Sequence, residues 1–193
     1  MLSSAVGAAR KIRWKVWDLW HGIETTDQAE IASLTTVGGN RLKGNRYEAS
    51  SASSVKAALT RLQIDYSQYS FVDLGSGKGR VLLVASEFAF REIIGVEFSL
   101  ELHEIAESNI RNFRGVATRN PRVRSVLSDA MEFNFPRTPL VLYFFNPFAV
   151  ELVSEVIRRA QEASGFRVHI ICAGRHMPEV STHTGNALSL LRI

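Results

Sequence analysis

Residues 71–80 read FVDLGSGKGR, and this stretch says most about the architecture of the chain. Four residues of strand character, Phe71–Leu74, run directly into glycines at positions 75, 77 and 79. Apolar residues from Val81 to Phe88 then follow with helical spacing. A strand, a glycine-rich turn and a helix in this order are typical of the crevice where open α/β sheets bind ligands, at the carboxyl ends of their strands.

Strands and helices alternate on both sides of this stretch. Upstream, apolar residues at helical spacing from Val55 to Leu62 predict a helix. Downstream, the sequence predicts helices at 102–113, with Ser99 as N-cap, and at 152–160, and strands at 92–97, 122–127, 140–145 and 167–172. The alternation predicts an α/β fold of three layers, a mostly parallel twisted sheet with helices on both faces. About twenty residues follow Cys172, enough for one or two short strands, which predicts a shortened C-terminal edge of the sheet.

The composition is that of a globular protein of one domain. Of 193 residues, 46% are hydrophobic and 22% are charged, and no apolar run approaches the roughly 18 residues of a membrane-spanning helix. A single cysteine, Cys172, excludes a disulfide framework and fits a reducing compartment, so we expect a cytoplasmic protein. Lysine and arginine number 23 against 19 acidic residues, and the net charge of +4 favours an acidic partner, nucleic acid included, without requiring one.

The first fifty residues differ from the rest, and we expect residues 1–50 to form an N-terminal helix and a loop or lid segment in front of an α/β domain at 51–193. Residues 10–20 contain all three tryptophans, interleaved with four basic residues. The favoured interpretation is a helix that packs its tryptophans on the domain; the alternative is an interfacial helix that touches a membrane or nucleic acid. Residues 22–50 are rich in glycine, serine, threonine and asparagine and predict a long loop.

Three kinds of ligand loop come into consideration for the glycines at 75–79. A P-loop needs Gly-Lys followed by Ser or Thr, but Lys78 precedes Gly79, so the hydroxyl that would bind magnesium is lacking. A dinucleotide fingerprint needs its third glycine one residue later, and the carboxylate of Asp73 would repel a pyrophosphate. These two features disfavour a nicotinamide-dependent oxidoreductase. They favour a ligand with a cationic group nearby, and S-adenosylmethionine has an ammonium group and no phosphate.

Acidic side chains end three successive predicted strands. Asp73 can hold the ammonium group, directly or through water, while the neighbouring glycines let the backbone approach the ligand. Glu97, at the end of the second strand, can accept hydrogen bonds from both ribose hydroxyls of an adenosine. Asp129, just past the third strand, can accept from the adenine amine while the N–H of Ala130 faces the ring. Each acid alone is equally typical of a loop residue or a helix cap, but together they describe a pocket.

Residues 48–172 resemble the class I, Rossmann-like methyltransferases that use S-adenosylmethionine. Residues 71–80 are similar to the first motif of this family, and the sequence IGVE at 94–97 is similar to the second. The resemblance implies a seven-stranded sheet and S-adenosylmethionine as cofactor. The residues that it assigns to cofactor binding are Asp73, Gly75, Ser76, Gly77, Gly79, Glu97, Phe98, Asp129 and Ala130.

Two subgroups of this family show the same form of both motifs. One contains the non-SET histone lysine methyltransferases that act on nucleosomes, and the other contains bacterial proteins of unassigned substrate. Similarity to the bacterial set extends upstream through Asn45–Glu48. The resemblance implies that this segment folds over the cofactor, which would bring Tyr47 into the catalytic site; an ordinary surface loop is the alternative.

Residues 143–148, YFFNPF, end the fourth predicted strand, where the family places the methyl group. Amino-methylating families often carry [Asn/Asp]-Pro-Pro-[Tyr/Phe] here, and this chain has one proline, so the match is partial. The resemblance implies that Asn146 accepts a hydrogen bond from the target nitrogen and that Phe148 forms an aromatic wall. The alternative is that Asn146 caps, and Pro147 starts, the next helix.

The sequence thus predicts an S-adenosylmethionine-dependent methyltransferase that methylates a nitrogen, with a protein lysine ahead of a nucleic acid or a small molecule. A methyltransferase-like module that binds the cofactor without catalysis is the rival hypothesis. We expect no metal, because the spacing of His169, Cys172, His176 and His183 matches no common zinc pattern. Lys78 is expected to be solvated.

Overall fold

Five α-helices and six β-strands make up the described part of the protein. A computed structural model describes residues 2–27, 29, 34–38, 47–115, 122–145, 150–173 and 188–192. The helices are α1 (Leu2–His21), α2 (Ala52–Arg61), α3 (Arg80–Ala85), α4 (Leu100–Asn112) and α5 (Val150–Ser164), with a short 3-10 turn at Tyr66–Gln68. The strands are β1 (Ser70–Leu74), β2 (Glu92–Glu97), β3 (Val123–Leu127), β4 (Leu140–Phe145), β5 (Val168–Ala173) and β6 (Leu188–Arg192).

All the described strands run parallel in one sheet. Their order is β3-β2-β1-β4-β5-β6, so the chain moves outward from β1 to β3 and then returns to place β4 beside β1. The predicted α/β architecture with a parallel sheet is confirmed. Because the winding reverses between β1 and β4, the carboxyl ends of the central strands form a crevice, the usual ligand position in such sheets.

Residue alternation along the strands divides the core into two layers. Val72 and Leu74 of β1 face one side of the sheet, where they join Leu142 and the α5 residues Val153 and Ile157. The opposite face of the sheet packs on α2 and α3 through Phe71, Val141, Tyr143, Leu59 and Leu82. Because β1, β4 and β5 are buried along almost their whole length, their sequences are largely apolar, which is why they stand out in the sequence.

The helix starts near the crevice use serine side chains as caps. Ser99 precedes α4, and its hydroxyl accepts a hydrogen bond from the N–H of Leu102 at 3.3 Å, so the predicted N-cap is confirmed. Ser51 caps α2 in the same way. α3 is shorter than predicted: it ends at Ala85, and Phe88 instead packs its ring 5.0 Å from that of Tyr66.

The tryptophans of α1 point in different directions. Trp17 packs its ring 6.2 Å from Phe113, at the end of α4, as expected of a helix that docks on the domain. Trp20 is 79% exposed, so the expectation does not hold for all three tryptophans. None of the helices in the described ranges combines the length and apolar character needed to cross a membrane.

Candidate functional site

The glycine-rich loop at 75–79 closes the carboxyl end of β1 over the neighbouring strand. The N–H groups of Gly75 and Ser76 both donate to the carbonyl of Val96 in β2, at 2.9 and 3.1 Å. Gly75, Gly77 and Gly79 all have positive φ. Backbone hydrogen bonds to β2 therefore fix the loop on one side, and its other side borders the crevice.

Asp73 lies under this loop as a buried, incompletely paired acid. It is 1% exposed, and among the described residues its Oδ2 has no hydrogen-bond partner. Burial raises the pKa of the Asp73 carboxyl well above 3.8, and the nearby Glu97 raises it further. The hydroxyl of Ser76 is likewise buried without a partner in the described structure. A buried acceptor left unpaired costs about 1–3 kcal/mol, so this position fits a donor or cation from a ligand.

Glu97 ends β2 and holds the loop in place. Its Oε2 accepts the N–H of Gly77 at 2.7 Å, and its Oε1 accepts the N–H of Ser99 at 2.9 Å. Burial raises the pKa of the Glu97 carboxyl, and these backbone donors offset part of that effect. Because a carboxylate offers about four lone-pair positions, Glu97 can accept a further donor beside its backbone partners.

A narrow pocket with largely apolar walls lies next to Glu97. Its lining residues come from the ends of β1, β2 and β3 and from α5: Gly75, Val96, Phe98, Ser128, Asp129, Ala130, Met131, Leu152 and Val156. Asp129 is buried at its rim, where Oδ1 accepts the N–H of Met131 at 2.9 Å. The structure thus brings together Gly75, Phe98, Asp129 and Ala130, all of which sequence reasoning assigned to the cofactor, the last two at its adenine ring. A slot of this kind suits a flat aromatic group with one polar edge.

The segment at residues 34–38 crosses the ends of β2 and β3. The N–H of Val37 donates to the carbonyl of Phe98 at 2.8 Å, and the N–H of Leu100 donates to Thr35 at 2.9 Å. The N–H of Thr35 also donates to Glu101, which lowers the pKa of that carboxyl to about 2. Sequence reasoning did not single out this segment, because its partners lie more than sixty residues away and no local pattern marks it.

Tyr47 packs its ring directly on the glycine-rich loop. A Cβ atom on Gly77 would overlap the ring of Tyr47, so only glycine fits beneath it. The Tyr47 hydroxyl donates to the carbonyl of Thr25 at 2.8 Å, and burial raises the pKa of this hydroxyl. In this arrangement the hydroxyl is bound and protonated, and the ring covers the loop.

Comparison with known proteins agrees with this arrangement. The family model described as "Histone methylation protein DOT1" matches residues 44–119, the part that contains Tyr47, the glycine-rich loop and Glu97. Residues 44–119 are thus similar to histone methylation proteins, and the parallel sheet with helices on both faces is the Rossmann-like fold expected of class I methyltransferases. No curated protein matches this chain significantly.

Solved structures with a similar fold include methyltransferases for different substrates. An RNA methyltransferase from Salinibacter ruber, in complex with S-adenosyl-L-homocysteine, is 20% identical over 60% of this chain and 70% of its own, with a TM-score of 0.47. A methyltransferase from Geobacter sulfurreducens is 20% identical over 58% of this chain and 42% of its own, with a TM-score of 0.42. A phosphoethanolamine N-methyltransferase from Haemonchus contortus is 22% identical over 57% of this chain and 25% of its own, with a TM-score of 0.44. This chain thus spans less than half of the latter two.

A buried ion pair ties the N-terminal segment to the start of α3, directly after the glycine-rich loop. Arg80, the first residue of α3, is 2% exposed, and its Nη2 lies 3.1 Å from Oδ1 of Asp18 in α1. Its other donors reach the hydroxyls of Thr25 at 2.6 Å and Thr26 at 2.7 Å. The rings of Trp14 and Trp17 lie 5.0 and 5.4 Å from the guanidinium carbon. Sequence analysis gave Arg80 no role beyond its place in the motif.

Lys78 belongs to the same connection, and the expectation that it is solvated is wrong. Its side chain is buried, and its Nζ lies 2.7 and 2.8 Å from the two carboxylate oxygens of Glu24. Asn109 of α4 links the two chain segments of this contact: its side chain donates to the carbonyls of both Glu24 and Lys78 at 2.8 Å. A lysine in a glycine-rich loop looks exposed in sequence, because the segment that covers it lies 54 residues upstream.

The end of β4 lies at the same crevice. The Tyr143 hydroxyl donates to Oγ of Ser50 at 3.0 Å, and burial raises the pKa of Tyr143. Phe144 is fully buried in the core on the α5 side, so its ring does not line the crevice. Asn146 and Phe148, the predicted acceptor-site residues, lie outside the described residues, as do Asn45, Arg46, His176 and His183. No group of three or more metal-ligating side chains occurs within the described ranges.

Proposed function

We propose that the chain transfers the methyl group of S-adenosylmethionine to the side-chain nitrogen of a lysine in a protein substrate. The observation that carries the cofactor assignment is the buried Oδ2 of Asp73, left without a partner among the described residues at the glycine-rich loop. The match of residues 44–119 to a family model of histone methylation proteins supports a protein substrate. A single buried cysteine is compatible with the cytoplasmic location that we propose.

In this proposal, each end of the cofactor has its own partner. Asp73 and Ser76 hold the amino-acid end, Glu97 accepts from the ribose hydroxyls, and Asp129 with Ala130 binds the adenine edge. The pocket beside Glu97 supports the last assignment, because its apolar walls suit a flat base. When bound, the cofactor supplies an electrophilic methyl group on a positively charged sulfur. Phe98, Gly75, Gly77 and Gly79 complete the set of residues assigned to it.

The chemistry at the end of β4 supports a nitrogen acceptor. Lysine has a reference pKa near 10.4, and only its neutral amine has a lone pair, so a dry site that favours the neutral form is required. Tyr143, the ionisable side chain of β4, donates its hydrogen bond to Ser50 and has a raised pKa, so it is no base for an oxygen acceptor. We assign Asn146 to orient the amine, Phe148 to line its channel and Tyr47 to position the glycine-rich loop.

Radioactive cofactor incubated with a cell extract tests the substrate. We expect label in material that protease destroys and nuclease spares. Label that survives protease and is lost with nuclease would show that the substrate is a nucleic acid. Label found only in small molecules would show that it is a metabolite. Cofactor binding without transfer to any fraction would establish the rival hypothesis of a non-catalytic module.

The role of Asn146 is tested by Asn146→Ala against a matched control. We expect turnover to decrease at least about tenfold while affinity for S-adenosylhomocysteine stays the same, because the lost interaction acts on the acceptor alone. Asn112→Ala, on the exposed side of α4, makes the same chemical change away from the crevice and is expected to leave both quantities unchanged. Equal turnover in the two variants would remove Asn146 from the site.

A further inference from the structure

An exposed apolar stripe runs along the outer face of α1. Ile12, Val16, Leu19 and Trp20 are 65%, 58%, 80% and 79% exposed. Their spacing of three and four residues puts them on one side of the helix, within an arc of about 100° at 3.6 residues per turn. The opposite side of α1 carries Trp17 and Asp18, which dock on the domain. The stripe is therefore largely exposed to solvent, and three of its residues, Ile12, Val16 and Trp20, also line an open groove between α1 and the start of α2.

Basic side chains flank this stripe on both edges. Arg13 lies on one edge, and Lys15 and Lys11 lie on the other, all three exposed. Lys15 pairs with Asp27 at 3.0 Å. The only acid in residues 1–20 is Asp18, and its charge is neutralised in the buried pair with Arg80. The outer face of α1 is therefore apolar in the middle and positive at its margins.

We propose that α1 docks in the plane of a membrane surface that contains anionic phospholipids, with its apolar stripe among the acyl chains and its basic flanks at the headgroups. An in-plane helix needs a narrow apolar face, cationic margins and an aromatic residue near the headgroup level, and Trp20 supplies the last. Nucleic acid would make use of Lys11 and Arg13 but would leave Ile12, Val16 and Leu19 exposed to water. A lipid surface satisfies both the charges and the aliphatic side chains.

Membrane docking is compatible with an intact fold, because the residues that hold α1 on the domain are not those of the stripe. Trp14, Trp17 and Asp18 hold α1 through Arg80, on the opposite side of the helix from the stripe. An open groove between α1 and the start of α2, lined by Trp17, Trp20 and Ala52 among others, extends the apolar surface toward the domain. Membrane contact thus requires no release of α1 from the domain, and the inference does not depend on the proposed methyl transfer.

The experiment is co-sedimentation of the full chain with vesicles, without cofactor. Vesicles of phosphatidylcholine are compared with an equimolar mixture of phosphatidylcholine and phosphatidylglycerol. We expect binding to the mixture that weakens with added salt, little binding to phosphatidylcholine alone, and a blue shift of tryptophan fluorescence that is lost in Trp20→Ala. Equal binding to both kinds of vesicle, or none to either, would overturn the proposal.

Paired variants separate the stripe and its flanks from general changes of the surface. Leu19→Glu is expected to weaken binding at least about tenfold, whereas Phe166→Glu, an equal change at another exposed apolar residue, leaves it unchanged. Arg13→Glu is expected to weaken it about fivefold or more, and Arg111→Glu on α4, with the same change of net charge, much less. Unfolding by urea checks that all four variants retain the fold, since each changes an exposed side chain.

Two other occupants of the stripe give distinct results. Light scattering of the free protein is expected to show a monomer; a dimer that Leu19→Glu dissociates would assign the stripe to a second copy of the chain and overturn the proposal. Binding to single-stranded RNA that is lost in Leu19→Glu, in a protein that does not sediment with anionic vesicles, would overturn it in favour of nucleic acid.

Discussion

Gly77 shows how a single missing side chain fixes the geometry of the candidate site. Its φ of +53° is unfavourable for other residues, and the ring of Tyr47 lies where a Cβ atom would be. Sequence reasoning attributed this glycine to the approach of a ligand. In the structure, the ring of Tyr47 already requires it, so part of the demand for glycine comes from the protein itself.

Replacing Gly77 with alanine is expected to destabilise the protein by more than the cost of a positive φ. Gly165→Ala is the matched control, because Gly165 has a φ of +63° and open space around its Cα, so this variant reports the backbone cost alone, about 1–2 kcal/mol. We expect the free energy of unfolding, measured in urea, to fall further in Gly77→Ala. Adding Tyr47→Ala to Gly77→Ala removes the overlap. It is therefore expected to restore the extra free energy of unfolding that Gly77→Ala loses over Gly165→Ala, minus the contribution of the ring packing that is lost with Tyr47. Equal losses at Gly77 and Gly165 would show that the ring moves aside freely.

The raised pKa of Asp73 makes cofactor binding depend on pH. An ammonium group next to Asp73 favours its ionised form, so binding releases a proton wherever the free protein holds one. Affinity for S-adenosylhomocysteine is therefore expected to increase as the pH rises from 3.8 through the raised pKa of Asp73. Calorimetry in buffers of different ionisation enthalpy measures the released proton. Asp73→Asn is expected to remove most of this dependence and to weaken binding about 10–150-fold, the worth of a charged hydrogen bond.

The stability of the unliganded protein changes in the opposite sense. Because the pKa of Asp73 is higher in the folded than in the unfolded chain, the folded state holds more protons in this pH window, and its stability falls as the pH rises through it.

Asp65→Asn serves as the control for cofactor binding by Asp73→Asn, since Asp65 is exposed at the start of the 3-10 turn and lies away from the crevice. We expect wild-type cofactor affinity in this variant; a loss similar to that of Asp73→Asn would move the cofactor elsewhere.

At the scale of elements, the connection between α1 and α3 is the least local part of the structure. Asp18 and Arg80 are 62 residues apart in the chain, and both are buried. Breaking a buried ion pair from one side leaves a charge without a partner, which costs about 3–5 kcal/mol. We therefore expect Asp18→Ala to lower the free energy of unfolding by about that much in urea.

Two further variants identify the source of that loss. Asp27→Ala removes the acid of the exposed pair with Lys15 and is expected to cost about 0–1 kcal/mol. The double variant Asp18→Ala with Arg80→Met is expected to lose less free energy of unfolding than the two single variants lose together, because no charge remains unpaired. Additive losses would show that the two residues act independently of each other.

Elements with local sequence patterns were predictable, and contacts between distant segments were not. The apolar strands β1, β2 and β4, and α4 with its cap at Ser99, lie where periodicity placed them, because each is specified by its own residues. The burial of Lys78, the partners of Arg80 and the path of residues 34–38 depend on segments far away in the chain. A single sequence carries no signal that pairs them, and the residues proposed for the pocket, such as Glu97 and Asp129, could be suggested only because each ends a strand of one sheet.

For the whole molecule, ligand-induced stabilisation tests the type of cofactor. A ligand at about 100 times its dissociation constant stabilises the folded state by about 2.7 kcal/mol. For a chain of this size that corresponds to an increase in Tm of about 5–10 °C. We expect this increase with S-adenosylhomocysteine and none with NAD or ATP in parallel thermal scans. An increase with NAD alone would point to dinucleotide chemistry and contradict the assignment of Asp73.

The distance in sequence between Asp18 and Arg80 also has a consequence for biosynthesis. Translation proceeds from the amino terminus, so α1 leaves the ribosome well before the residue that anchors it has been made. During that interval the nascent chain presents both the Trp17 side and the Leu19 side of the helix to chaperones, proteases and bilayers. The order of synthesis therefore lets the nascent helix reach a lipid surface before it can dock on its own domain.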